Sequence, residues 1–130
     1  MRFISEKQAL TIHSTMIATF GGEDGIISED ILKQCLEIPL QRYFGEEIYP
    51  AIEDKAAAYL YYLVTLHPFV DGNKRTGYSI ARIFLLMNSH DFNCSEEDRY
   101  NFVMRIAGNE ESLETTKAWI TDNMVKIDSD

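Results

Sequence analysis

Apolar residues recur at intervals of three and four along most of the chain, which is the spacing of one face of an α-helix. Residues 50–67, with the sequence PAIEDKAAAYLYYLVTLH, show this pattern most clearly. The apolar positions on this face are Ile52, Ala56, Tyr59, Leu60, Leu63 and Leu66. Pro68 follows, and a proline disfavours helical geometry in the residue before it. The pattern therefore predicts a core helix that ends near His67.

Two helices are predicted before this one. SEKQ at residues 5–8 has the sequence of a capping box and predicts a helix that runs to about Phe20. Its apolar stripe is predicted to contain Leu10, Ile17 and Phe20. After the turn GGEDG, a second helix is predicted over residues 28–38, because acidic residues occupy its first turn and Pro39 stops it. Residues 39–50 are expected to be irregular or to form a short hairpin.

Three further helices are predicted in the second half of the chain. The apolar pattern resumes at Ile80, Ile83, Phe84 and Met87. SEED, which begins at Ser95, has the sequence of another capping box, and its helix is expected to end near Gly108. The last helix is predicted to carry Leu113, Ala118, Trp119, Ile120 and Met124. The fold class is therefore all-α, with about six helices, and residues 1–130 are expected to form a single domain because no linker or repeat divides them.

The composition argues against several kinds of partner. Twenty-one acidic and 12 basic residues give a formal net charge of −9, which opposes binding to nucleic acid or to an anionic membrane surface. No segment approaches the ~18 consecutive apolar residues that a membrane-spanning helix needs. We therefore expect a cytoplasmic protein without nucleic-acid or membrane partners. Cys35 and Cys94 form no C-x-x-C pair, and Cys35 falls in a helical apolar pattern that favours a reduced core thiol.

A polar loop, HPFVDGNKRTG (His67–Gly77), lies between two predicted core helices. The N-terminus of a helix offers unpaired backbone N–H groups, and Gly72 would let an anion approach them closely. Asn73 adds a neutral donor, Lys74 a compact charge and Arg75 a planar guanidinium. Four donors at one helix start predict a polyphosphate site.

Two residues of this loop have more than one interpretation. Asp71 is a candidate helix cap, a candidate salt-bridge partner and a candidate Mg²⁺ ligand, since that ion usually takes one or two protein carboxylates together with phosphate oxygens. His67 is a candidate proton acceptor for an incoming hydroxyl, but it also has the position of a residue that caps the last carbonyls of its helix. These alternatives stay open at the level of sequence.

Taken together, His-x-Phe-x-Asp-Gly-Asn-Lys-Arg-Thr resembles the signature loop of the Fic/Doc family, in which a helical domain transfers part of a nucleoside triphosphate to a protein hydroxyl. The segments FGGEDGIISEDIL, YFGEEIYPAIEDKAAAYLYYL and FLLMN extend the resemblance over most of the chain. It implies a compact Fic/Doc-like helical bundle in which Phe69 anchors the loop in the core. It also implies a short flap at Tyr43–Tyr49, which aligns the target peptide as an added strand.

The residue after the asparagine separates two branches of the family. The AMP-transferring Fic type has glycine at this position, where this chain has Lys74. It also has a second arginine three residues after the first, where this chain has Tyr78. Both departures resemble the Doc (death-on-curing) type, which implies that the γ-phosphoryl of ATP is transferred to a Ser/Thr hydroxyl. The implied roles are catalytic base for His67, Mg²⁺ contact for Asp71, and phosphate cradle for Gly72, Asn73, Lys74 and Arg75.

The same resemblance implies two protein partners. The target would be a translation factor similar to EF-Tu, whose modification inhibits translation, and a Phd-like antitoxin would restrain the toxin by folding its tail into a groove near the site. Transfer of AMP, as in the Fic branch, is the alternative activity, and a catalytically silent nucleotide- or peptide-binding module is a second alternative. Arg82, on the helix that follows the loop, is expected to form a surface ion pair rather than to reach a phosphate.

Overall fold

Six α-helices and four short strands are present in residues 1–127, the part of the chain that this computed structural model describes. The helices are α1 (Glu6–Phe20), α2 (Glu29–Glu37), α3 (Ile52–Leu66), α4 (Asn73–Met87), α5 (Glu96–Ala107) and α6 (Leu113–Asn123). The strands are β1 (Arg42–Tyr43), β2 (Glu46–Glu47), β3 (His90–Phe92) and β4 (Met124–Lys126), and they pair antiparallel as β1–β2 and β3–β4. The predicted all-α fold is therefore confirmed. The β1–β2 hairpin is one of the two alternatives predicted for residues 39–50.

The core centres on α3, which packs against α2, α4 and α6. Gly77 brings α4 close to α3: a Cβ atom at this position would lie 3.1 Å from Val64 Cγ2 and 3.3 Å from Leu63 Cβ. Both distances are tighter than ordinary van der Waals contact, so the absence of a side chain at residue 77 permits the approach. Since α3 and α4 flank residues 67–72, their packing fixes the positions of both ends of the loop.

Serine caps begin several of the helices. Ser5 accepts a hydrogen bond from the backbone N–H of Gln8, and the Gln8 side chain accepts one from Ser5, which confirms the predicted capping box. Ser28 caps α2 as expected. Ser95 accepts from the backbone N–H of Asp98, but the reciprocal bond is not formed, so the capping box predicted from SEED is only half present.

The buried face of α1 differs from the prediction. Its buried residues are Ala9 and His13, whereas Phe20, predicted on the apolar stripe, is 56% exposed. The reason is that α1 packs on the start of α4 and turns His13 inward, while the Phe20 ring lies beneath the guanidinium of Arg75, 4.5 Å from its carbon. The prediction that Phe20 belongs to the buried apolar stripe of α1 is therefore wrong.

Two predicted helix ends also differ. The chain does not stop being helical at Pro39 but continues through a 3₁₀ turn, Ile38–Leu40, because proline is tolerated in the first turn of a helix. Met124, predicted on the last helix, is the first residue of β4 and pairs with Phe92 of β3. A three-residue strand is too short for the alternation that reveals strands in a sequence.

The segment directly after α4 binds residues near both ends of the described chain. The side chain of Asn88 makes two hydrogen bonds to the backbone of Arg2: its Oδ1 accepts from the Arg2 N–H at 2.8 Å, and its Nδ2 donates to the Arg2 carbonyl at 2.9 Å. The carbonyl of Ser89 accepts a hydrogen bond from the N–H of Ile127 at 2.9 Å. Residues 2 and 127 are thus both held at the C-terminal end of α4, and the polar loop lies at its other end.

Two features bear on the predicted environment of the protein. In residues 1–127, every helix is too short or too polar to cross a membrane. Cys35 is fully buried and free, as predicted, and Cys94 is also free. Burial raises the pKa of the Cys35 thiol to about 12, so this cysteine remains a neutral core residue.

Candidate active site

His67 ends α3 in a left-handed backbone conformation, with φ 55° and ψ 60°, and its side chain is exposed. Such a conformation is uncommon for a residue with a Cβ atom and persists only where surrounding contacts impose it. The contacts are visible on the residues that follow. The carbonyl of Pro68 accepts hydrogen bonds from the N–H groups of Ile27 and Ser28, and the N–H of Val70 donates to the carbonyl of Gly25. The segment 25–28 therefore fixes the direction in which the chain leaves His67.

Asn73 closes the loop on itself. Its Oδ1 accepts a hydrogen bond from the N–H of Phe69 at 2.9 Å, and its Nδ2 donates to the carbonyl of the same residue at 2.8 Å. Both residues are buried, and the Phe69 ring is fully inaccessible, which confirms its predicted role as the anchor of the loop. The side chain of Asn73 thus shapes the loop from within, and its predicted role in holding phosphate stays a prediction.

His13 supports the loop from α1. Its ring stacks on the Phe69 ring with centroids 3.8 Å apart and planes at 5°, and its Nε2 lies 2.8 Å from the carbonyl oxygen of Asp71. A carbonyl can only accept a hydrogen bond, so Nε2 carries a proton and donates it. Nδ1 lies 3.6 Å from the carboxylate of Asp24, in the turn after α1. His13 was not among the predicted site residues, because no local pattern in the sequence indicates this contact with the loop.

Gly72 lets the chain turn into α4. It adopts φ 79° and ψ 15°, and a Cβ atom here would lie 3.2 Å from Ile17 Cδ1. Both the left-handed conformation and the close approach favour glycine. The first hydrogen bond of α4 joins the N–H of Thr76 to the carbonyl of Gly72 at 2.9 Å. The N–H groups of residues 73–75, in the first turn, therefore have no intrahelical acceptor, as the anion-site prediction requires.

Asp71 has neither of two predicted local roles. It is not the cap of α4, since that residue is Gly72, which forms no side-chain cap. Nor does it form an ion pair with any residue in the range 1–127. Its carboxylate instead accepts hydrogen bonds from the N–H groups of Glu23 and Gly72, at 3.2 and 2.8 Å. These bonds, with Lys74 and Arg75 nearby, lower the pKa of Asp71 below its ordinary value, so the carboxylate is ionised at neutral pH.

Most of the predicted site residues line one cavity of about 550 Å³, a volume within the usual range for ligand pockets. The cavity lies between the first turns of α4 and parts of α1 and α5. Its lining residues include Asp71, Gly72, Lys74 and Arg75. Asn73 lies behind this wall, and His67 does not line the cavity. The structure thus brings four of the six predicted residues together around one space.

The other residues of the cavity were not predicted from the sequence. Tyr78 lies four residues after Lys74, and Ser79 lies four residues after Arg75. This i, i+4 spacing places each pair on one face of α4, so the sequence did contain a signal for these two residues. Met16 and Phe20 come from α1, and Arg99, Tyr100, Val103 and Met104 come from α5. These residues reach the cavity through the packing of helices far apart in sequence, for which no local pattern exists.

Two cationic side chains of the site, Lys74 and Arg75, form no ion pair with any residue in the range 1–127. In contrast, Arg82 pairs with Asp91 through two hydrogen bonds, at 3.0 and 3.3 Å, which confirms the predicted surface ion pair. Asp91 is thereby held with a pKa below its ordinary value.

The flap is attached to the core by a buried lysine. Lys55 of α3 is 1% exposed, and its Nζ donates hydrogen bonds to the carbonyls of Pro39 and Tyr49 and to the carboxylate of Glu47 at 3.1 Å. At the tip of the hairpin, the Phe44 side chain is 90% exposed. The base of the flap is thus anchored, and its aromatic tip is open to solvent.

The described residues fit a magnesium ion only in company with a phosphate ligand. In residues 1–127, no three His, Cys, Asp or Glu side chains lie close enough together to hold a metal ion on their own. One ionised carboxylate, Asp71, lines the cavity beside Lys74 and Arg75. This donor set suits Mg²⁺ as it is usually bound with nucleotides, through one or two carboxylates and the phosphate oxygens.

Comparison with known proteins places these observations in a family. The model of the Fic/DOC family matches residues 3–85, which include the whole loop between α3 and α4. The chain is 36% identical over 86 residues to a protein of Mycolicibacterium smegmatis named Toxin Doc. The match covers 66% of this chain and 64% of that protein, so it spans slightly less than two thirds of the relative's length. On this match, the chain belongs to the Fic/DOC family.

Proposed function

We propose that this protein is a Doc-type toxin that transfers the γ-phosphoryl group of ATP to a Ser/Thr hydroxyl of a translation factor similar to EF-Tu. The observation that carries the proposal is the cavity at the start of α4, which is large enough for a nucleotide. Its lining includes Lys74 and Arg75, neither of which forms an ion pair in the described part of the chain. Family membership and the relative named Toxin Doc support it.

The phosphates bind at the N-terminus of α4 in this proposal. Gly72 allows them to approach the backbone, Lys74 and Arg75 neutralise their charge, and Asn73 keeps the loop closed behind them. Asp71 is the residue that would hold Mg²⁺, which would neutralise negative charge on the departing ADP. The Lys74 side chain occupies a place where AMP-transferring relatives have only glycine, and this favours attack at the γ-phosphorus.

His67 acts as the general base. Its exposed ring accepts the proton of the target hydroxyl, the hydroxyl oxygen forms a bond to the γ-phosphorus, and the bond from that phosphorus to the β,γ-bridging oxygen breaks, releasing ADP. In the described part of the chain the His67 ring has no ion-pair or hydrogen-bond partner that would block an incoming protein. The target segment would lie along the flap, whose exposed Tyr43 and Phe44 offer an apolar docking surface.

An antitoxin similar to Phd restrains the enzyme in this proposal. Ile26 and Ile27 are 40% and 61% exposed and lie in the segment that pairs with the loop, where Ile26 forms a β-bridge to Phe69. Phe20, which lines the cavity, is also exposed. An antitoxin tail that covers Phe20 would cover part of the cavity lining.

A radiolabel experiment tests the activity. The purified protein is incubated with Mg²⁺, EF-Tu or a bacterial lysate, and ATP labelled at either the γ- or the α-phosphate. We expect γ-label on a protein of translation-factor size, and a decrease of about 10²–10⁴-fold in rate for His67→Ala. His90→Ala is the control, since His90 lies on β3 away from the loop.

Other results would lead to a different function. Incorporation of α-label would replace phosphoryl transfer with transfer of AMP. Binding of ATP without any labelled product would favour a catalytically silent nucleotide-binding module. Full activity of His67→Ala would contradict the role of this residue as the base.

A further inference from the structure

Arg99 of α5 brings a third cation to the cavity at the start of α4. It is half-buried and lines the cavity together with Lys74 and Arg75. Its guanidinium carbon lies 4.5 Å from the centre of the Tyr78 ring, and that ring stacks in turn on Phe92, with centroids 5.0 Å apart. The Tyr78 ring is thus held between Arg99 and the core. A guanidinium group carries five N–H donors, so one that lies over an aromatic ring still has donors to offer to an anion.

The charges around the cavity are unbalanced. Among the residues that the structure describes, Asp71 is the one acidic residue in the lining, against Lys74, Arg75 and Arg99, in a protein whose formal net charge is −9. Among residues 1–127, Arg99 has no carboxylate within ion-pairing distance, as is also true of the other two cations. Burial raises the pKa of Tyr78 to about 12, so its phenol stays neutral and supplies no negative charge to Arg99.

The arrangement suits an anion with several phosphate groups. A single phosphate is satisfied by a helix N-terminus and one or two cationic side chains. Lys74 and Arg75 already provide these on α4, whereas Arg99 stands on a different helix, across the cavity lining from the loop. A third donor on a separate element matches the length of a polyphosphate chain.

We infer that Arg99 is a phosphate-binding residue that contacts the polyphosphate of a nucleoside triphosphate and favours it over a monophosphate. The inference rests on the proposed function, and it extends the site beyond the loop. Residue 99 lies outside residues 3–85, the segment that matches the family model, so this role is not assigned by that match.

Calorimetric titration of the full chain tests the inference, with ATP, AMP and inorganic tripolyphosphate as ligands in the presence of Mg²⁺. Arg99→Met removes the donors and keeps an unbranched side chain over Tyr78. We expect its affinity for ATP and tripolyphosphate to fall about 10–100-fold, the effect of losing one or two charge-assisted hydrogen bonds, and its affinity for AMP to change less than threefold.

Arg105→Met is the matched control. Arg105 lies on the same helix, and its guanidinium carbon also lies over an aromatic ring, 5.3 Å from the centre of the Phe102 ring. Unlike Arg99, it pairs with Glu111 and does not line the cavity. Its affinities should equal those of the unaltered protein. Thermal unfolding of both variants checks that they are folded.

The outcomes separate the inference from the proposed function. Unchanged ATP and tripolyphosphate affinities in folded Arg99→Met, or an equal loss for AMP, would overturn the role of Arg99. Tripolyphosphate binding that depends on Arg99, without ATP binding, would support phosphate binding by Arg99 but contradict both a nucleoside triphosphate as its ligand and the kinase proposal. Failure of the unaltered protein to bind either polyphosphate would contradict both.

Discussion

Replacing Asn73 with aspartate tests how the loop between α3 and α4 is held closed. The two side chains have nearly the same shape, but a carboxylate has no N–H donor. In the present structure Oδ1 accepts from the N–H of Phe69 and Nδ2 donates to its carbonyl at 2.8 Å, at a site that is 4% exposed. In Asn73→Asp the bond from the Phe69 N–H can remain. The bond to the Phe69 carbonyl is lost, because a carboxylate oxygen then faces the carbonyl oxygen and neither can donate.

The expected loss of stability follows from three contributions. The lost hydrogen bond removes about 1 kcal/mol, and leaving the buried carbonyl and carboxylate oxygens unpaired removes about 2 kcal/mol more. An acidic residue in the first turn of α4 regains up to about 1 kcal/mol from the helix dipole. The free energy of unfolding should therefore fall by about 2 kcal/mol at pH 7.5, out of a total that is typically ~5–15 kcal/mol.

The loss should depend on pH in a defined direction. Only the protonated carboxyl can donate to the Phe69 carbonyl, so folding raises the pKa of the introduced group above its unfolded value of about 3.9. Stability relative to the unaltered protein is then retained below that value and is lost as the pH rises through the folded pKa. At pH 4.2 the destabilisation should be well under 1 kcal/mol by the same relation.

Urea unfolding of the unaltered protein and of Asn73→Asp at pH 4.2 and 7.5 measures both differences. Asn101→Asp is the control: Asn101 is exposed on α5, and its replacement should change stability by less than about 0.5 kcal/mol at either pH. Equal stability of Asn73→Asp and the unaltered protein at pH 7.5, or the same loss at both pH values, would refute the assignment of these two hydrogen bonds.

Three further predictions concern the surroundings of the loop. Lys55→Met removes the charge-assisted hydrogen bonds that hold the base of the flap. The rate of limited tryptic cleavage after Arg42 should therefore increase roughly tenfold. An unchanged rate would show that the flap is held by other contacts. His13→Phe keeps the ring stack but leaves a loop carbonyl without its donor, so urea unfolding should show a loss of about 0.5–1.5 kcal/mol, and no loss would contradict that hydrogen bond. Arg82 lowers the pKa of Asp91, so the contribution of this ion pair to stability is present above the ordinary carboxyl pKa and is lost as the pH falls through the lowered value. In Arg82→Gln, the Asp91 pKa measured by NMR titration should rise toward the ordinary range. An unchanged pKa would exclude the pair as the cause of the shift.

The fold was predictable from sequence where a local rule applies over many residues. The apolar face of α3 and its termination before Pro68 follow from helical periodicity and from the geometry that proline imposes. The cap at Ser5 follows from a short motif. The 3₁₀ turn at Pro39 and the β3–β4 pair were missed because each involves only a few residues, too few for a periodic signal.

The site was predictable where its residues are adjacent in the chain. The segment Asp71–Arg75 was identified from residue type and position at a helix start, and four of its members line the cavity. His13 and Arg99 were missed because the geometry that brings them to the site is tertiary. His13 reaches the loop from α1 through a ring stack on Phe69, and Arg99 reaches the cavity from α5 through a cation–π contact with Tyr78. A sequence shows neither distance.

The hydrogen bonds after α4 have a practical consequence for engineering. Because residues 2 and 127 are held by Asn88 and its neighbour, the two ends of the described chain lie near one another. The 15 residues of α4 separate that place from the N-terminal end of the helix by about 22 Å. A short linker joining residues 2 and 127, with a new opening at Gly45 in the exposed tip of the flap, gives a circular permutant in which the polar loop is undisturbed. Such a permutant would allow the flap to be shortened or exchanged as a free terminus while the cavity at the start of α4 keeps its native connections.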